Sequence, residues 1–95
     1  MRETKRFTVE IKVWTGDKLE ERQEGFARVG TAMAEAATTI QTYGPDAEVR
    51  VIDHRTMIEA LYFDGDSMTQ PMVCFGAEGY GQAWGKAMDF AASQQ

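Results

Sequence analysis

Phe7, Val9, Ile11 and Val13 alternate with Thr8, Glu10 and Lys12. A period of two with one apolar and one charged face predicts a strand, at about 6–14, whose sheet is covered on one side and wet on the other. Any fold built on that strand needs a separate layer to bury the apolar face. Ala47, Val49 and Val51 alternate with Glu48 and Arg50 in the same way and predict a second strand at 47–53.

The cover is expected from helices. Across about 18–43, Phe26, Val29, Met33, Ala36, Ala37, Ile40 and Tyr43 recur at steps of three and four, the spacing of one helix face. Asp17 and Glu20 have capping-box spacing, Glu20, Glu21 and Glu24 suit the positive end of a helix dipole, and Gly44-Pro45 ends the segment. Residues 56–63 read as a strand, although Met57, Ile58, Leu61 and Tyr62 also fit a helical turn. Asp64-Gly65 is a two-residue hairpin signal, and 67–75 reads as a further strand with Pro71 marking an edge or bulge. Residues 77–92 read as a second helix.

The expected order is β-α-β-β-β-α. It defines an α+β fold, a four-stranded mostly antiparallel sheet with two helices on one face, in a single domain spanning 1–95. Without its first strand that order resembles double-stranded-RNA-binding domains. Those domains need lysines at the start of the second helix, where this chain has Gly76-Ala77-Glu78-Gly79.

Ninety-five residues, 43% of them hydrophobic, are enough for one packed core. No apolar run approaches the length of a membrane span, and the charged N-terminus leads into alternation with no apolar signal segment, so a cytoplasmic protein is expected. The lone Cys74 excludes an internal disulfide and a multi-thiolate metal site. The net charge of −5 is unevenly spread. Residues 1–30 hold seven basic and six acidic groups (+1), and residues 31–95 hold three basic and nine acidic groups (−6). Such a chain lacks the basic footprint of a nucleic-acid binder. An acidic surface serves solvation, or recognition of a basic partner protein.

The Gly-rich run into the second helix invites a phosphate-loop reading. It fails residue by residue: Gly85-Lys86 would need glycine where Tyr80 stands and Ser or Thr where Ala87 stands. Gly79-Tyr80-Gly81 would need glycine at Trp84 for a dinucleotide fingerprint, and Glu78 would repel phosphate. Ala77, Gly81 and Gly85, and likewise Gly79, Ala83, Ala87 and Ala91, are spaced by four, which lets a neighbouring element approach closely. Tyr80, Trp84, Met88 and Ala91 form an apolar stripe beside them.

Asp53-His54-Arg55 holds the only histidine, and a nucleophile for it would have to be Ser67 or Cys74, neither in a nucleophile-elbow pattern. Asp64, Asp66, Asp53 and Glu59 fall short of the ligand spacing of a calcium loop. No cofactor or metal is expected. Methionines are frequent, Met68 and Met72 among them, as in adaptable packing.

These residues point to a non-enzymatic protein-interaction module, an inhibitor or regulator of a larger assembly of the kind expected of a phage or mobile element. Its expected partner surface is Glu48, Glu59, Asp64, Asp66, Glu78 and Asp89, and homodimerisation is expected through the 67–75 strand and the second helix. The alternative is a homo-oligomer binding a small, nucleotide-like molecule in an aromatic interface pocket of Trp14, Tyr80, Gly81, Trp84, Gly85 and Met88. An enzyme centred on His54 is the third reading.

Overall fold

The computed structural model describes residues 5–65, 72–73 and 79–93. Strand β1 (Phe7–Thr15) turns through Gly16-Asp17 into β2 (Lys18–Phe26). Helix α1 (Val29–Tyr43) follows, then a single 3-10 turn (Gly44–Asp46), β3 (Ala47–Asp53), β4 (Ile58–Phe63), the short β5 (Met72–Val73) and helix α2 (Tyr80–Ser93). The strands form one antiparallel sheet in the order β2-β1-β3-β4-β5. The α+β class, the antiparallel sheet and the two helices are as the patterns predict.

One element differs. Residues 18–26, expected in the first helix, pair with β1 along its whole length, from Thr15↔Lys18 to Phe7↔Phe26. Their Glu, Lys, Arg and Gln content favours helix by propensity, but pairing onto β1 decides otherwise. Gly16 has φ +67°, the backbone that the first loop position of a type II′ hairpin requires. As an edge strand, β2 has no buried face for most of its length, so no alternation marks it.

The core lies between the sheet and its helices. Phe7, Val9, Ile11, Val13, Ala47, Val49, Val51, Leu61 and Phe63 meet Ala32, Met33, Ala36 and Ala37 of α1. Helix α2 packs against α1, and its Ala87 and Ala91 are buried with Ala83 packed beside them. The four-residue spacing of small side chains is therefore used inside the molecule, where alanines on both helices permit close approach. Of the expected stripe on the first helix, Met33 is buried and Ile40 partly so, while Phe26 reaches the same core from β2. A register shift between Val51 and Ile52 leaves Ala60 as the extra residue of a bulge in β4.

The pairing Tyr62↔Met72 puts residues 63–71 between the paired positions of β4 and β5, so Asp64-Gly65 does not form a two-residue turn. Gly65 has a packing role. With φ +69°, it sits against the carbonyl oxygens of Ala47 and Pro45 so closely that a β-carbon would collide with both.

Candidate functional site: an acidic cleft beside Trp14

The helices cover one face of the sheet, and among the described residues the other face is open. Alternation puts Thr8, Glu10, Lys12 and Trp14 of β1 on the open face, together with Glu48 and Arg50 of β3. Arg50 organises its centre. Its Nε stands 2.6 Å from Glu59 Oε2 without hydrogen-bond alignment, its Nη1 lies 3.6 Å from Glu10 Oε1, and its guanidinium lies 5.7 Å from the centre of the Tyr62 ring. Glu59 thus belongs to an ion-pair network in the middle of the face.

At the end of that face, Trp14, Pro45, Asp46, Glu48 and Asp64 line a cleft of about 390 Å³. Each is delivered by a separate local rule. Trp14 comes from the alternation of β1. Pro45 and Asp46 come from the turn that stops α1, and Glu48 from the second position of β3. Asp64 directly follows β4 and is set beside Ala47 and Pro45 by the close seat of Gly65. Three carboxylates and an indole face one space, and Trp14 is 40% exposed. The phenol of Tyr62 registers the resulting field. Burial pushes its pKa above the ordinary value, and the charges of Glu48 and Asp64 push it further, against the opposing pull of Arg50. A cation would gain from the carboxylates, and a planar one also from the indole face.

The structure brings together Glu48 and Asp64 from the expected acidic surface, and adds Trp14 from the alternative set. Glu59 lies apart in the Arg50 network, Asp89 is exposed on α2, and Asp66 and Glu78 lie outside the described residues. Asp46 was not anticipated. Its signal in the sequence is its place in the turn that Gly44-Pro45 starts, one residue before β3 and two before Glu48. Of the alternative set, Trp14 and Tyr80 stand at opposite ends of the sheet. Tyr80 bonds Asp53, which pairs with Phe7, and Trp14 lies seven residues farther along β1, about 23 Å at the usual strand rise. Tyr80 is buried, Gly81 and Trp84 are partly buried, and Gly85 and Met88 are exposed. Among the described residues, nothing beyond the helix's own backbone lies within van der Waals reach of a β-carbon at Gly85.

A second polar cluster sits at the far end. Asp53, fully buried, accepts Arg6 Nε (2.9 Å) and the Arg55 amide (2.9 Å) on Oδ1, and Arg6 Nη2 (2.8 Å) and the Tyr80 hydroxyl (2.6 Å) on Oδ2. These bonds, those of Arg6 foremost, hold its carboxyl well below the usual carboxylate range although burial opposes them. The neighbouring His54 is exposed, with Nε2 2.7 Å from Thr8 Oγ1. Ser67 and Cys74 lie outside the described residues. No group of three His, Cys, Asp or Glu among the described residues could hold a metal ion, and Asp53 is committed to Arg6 at the opposite end from Asp64. No helix among the described residues is long and apolar enough to cross a membrane. No family model, curated protein or solved structure matches this chain.

Proposed function

We propose that this chain is a non-enzymatic protein-interaction module of the cytoplasm that inhibits or regulates a larger assembly by capturing a basic segment of it. The observation that carries this reading is the convergence of Asp46, Glu48 and Asp64 around exposed Trp14 in one cleft. An arginine suits it, because a guanidinium can donate to two carboxylates while stacking on an indole. Complementary charge raises association rates and discriminates partners, and salt screens it over about 8 Å at physiological strength.

The test is binding of an arginine-rich peptide to the wild type and to the Glu48→Lys/Asp64→Lys double variant. The association rate for the wild type should fall as salt rises. The double variant should bind at least about tenfold more weakly, the loss of one to two charge-assisted contacts. Equal affinity in both proteins, with folding confirmed by circular dichroism, would remove the cleft from the proposal.

A further inference from the structure

We infer that β2 is a self-pairing edge, on which a second copy of this chain adds antiparallel about a two-fold axis at Glu21, joining the two sheets into one. Strand β2 ends the sheet order and pairs with β1 over all nine of its residues, so its other edge presents backbone donors and acceptors with no strand beside them among the described residues. Seven of those nine residues are exposed. Natural edges of this length usually carry charges that forbid pairing. Here the charges select one register.

A two-fold axis normal to the sheet keeps each face continuous and pairs residues whose numbers have a constant even sum. With the axis at Glu21, Lys18 opposes Glu24 of the second copy and Glu20 opposes Arg22, and symmetry repeats both pairs. Every charge on the helix-side row of β2 then meets its opposite. On the open face Glu21 meets its own copy, but each Glu21 has Lys12 behind it at 4.0 Å, so the two carboxylates are flanked by two ammonium groups. Arg22 already holds Glu35 at 2.8 Å, and its guanidinium has donors to spare for Glu20 of the copy.

Neighbouring registers fail on the same residues. An axis at Arg22 sets Arg22 against Arg22 and Glu20 against Glu24 twice. An axis at Glu20 sets Glu20 against Glu20 and Lys18 against Arg22 twice. An axis at Gln23 gives a ladder of the same length but keeps only the Arg22–Glu24 pairs and sets Glu20 against Phe26. Like charges directly opposite are destabilising, so these differences choose the register. The surface is distinct from the cleft at Trp14 and from α2.

Sedimentation equilibrium on the wild type, Lys18→Glu, Glu21→Lys and the swap Lys18→Glu/Glu24→Lys tests the inference. The wild type should reach a dimer mass at high micromolar concentration. Lys18→Glu should raise the dimer dissociation constant by about tenfold, because two attractive cross-strand pairs become repulsive. Glu21→Lys should weaken the dimer in the same direction, and the swap should restore it. Lys18, Glu21 and Glu24 are all exposed on the edge strand, so circular dichroism should not change. A wild type that stays monomeric, a Lys18→Glu dimer as tight as the wild type, or a swap as weak as the single variant would each overturn it.

Discussion

Tyr80, the first residue of α2, donates its hydroxyl to Asp53 Oδ2 across 2.6 Å and so fastens that helix to the end of the central strand β3. Thr56 lies 3.1 Å from the same hydroxyl, and Arg6 completes the cluster from the chain entering β1. One buried carboxylate therefore joins three separate segments: the entry to β1, the end of β3 with the turn after it, and α2. Its charge is compensated by two Arg6 bonds and an amide, which is the condition for burying a carboxylate at tolerable cost.

Asp53→Asn should destabilise the fold by about 3 kcal/mol, since it removes the buried charge that accepts from Arg6, Arg55 and Tyr80. Asp53 ionises at a lower pH in the folded chain than in the unfolded one. Its contribution is thus complete above the unfolded value of about 3.9 and is lost as the pH falls below it. Urea midpoints measured between pH 7 and pH 2 should fall steeply in the acid range for the wild type. Asp53→Asn should show a shallower fall over the same range.

Met57 occupies a left-handed backbone, φ 60°, with its amide bonded to the Asp53 carbonyl at 2.8 Å and its side chain 78% exposed. A left-handed conformation costs a side-chain-bearing residue about 1 kcal/mol, and the exposed thioether offers little packing in return. Met57→Gly should accordingly raise stability, or at least leave it unchanged after glycine's added unfolded-state entropy. A clear fall in melting temperature would show that the methionine contributes contacts there.

Gly65→Ala should destabilise by about 2 kcal/mol or more, because the new methyl meets the Ala47 and Pro45 carbonyls at a positive φ. The same change should disturb the cleft, as Gly65 sets Asp64 beside Pro45. Binding of the arginine-rich peptide should weaken together with thermal stability. Met33→Ala, a cavity in the core far from that cleft, should cost about 3 kcal/mol and leave the peptide affinity intact while the protein remains folded.

The two alternating strands were legible because each has one buried face, and β3 has the predicted bounds, Ala47–Asp53. The second helix was legible from its four-residue spacing of small side chains. Strand β2 was not, since an edge strand exposed over seven residues follows hairpin pairing rather than hydrophobic period. The Gly16-Asp17 pair was its one local sign. Glu48 and Asp64 stood out as acidic residues, but their meeting with Trp14 depends on β1, β3 and the end of β4 converging. Sequence spacing does not carry that distance, nor the separation of Trp14 and Tyr80, which stand at opposite ends of the sheet within one chain.

The proposed function places a basic segment of a partner in the cleft at Trp14. Titration of the 15N-labelled protein with an arginine-rich peptide, followed by two-dimensional NMR, locates binding directly. Shifts should concentrate on the Trp14 indole N–H and on the amides of Asp46, Glu48 and Asp64, shrink as salt rises and be absent with an acidic peptide of equal length. Shifts centred on Trp84 and the rest of α2, or no shifts at the Trp14 indole at saturating peptide, would contradict it.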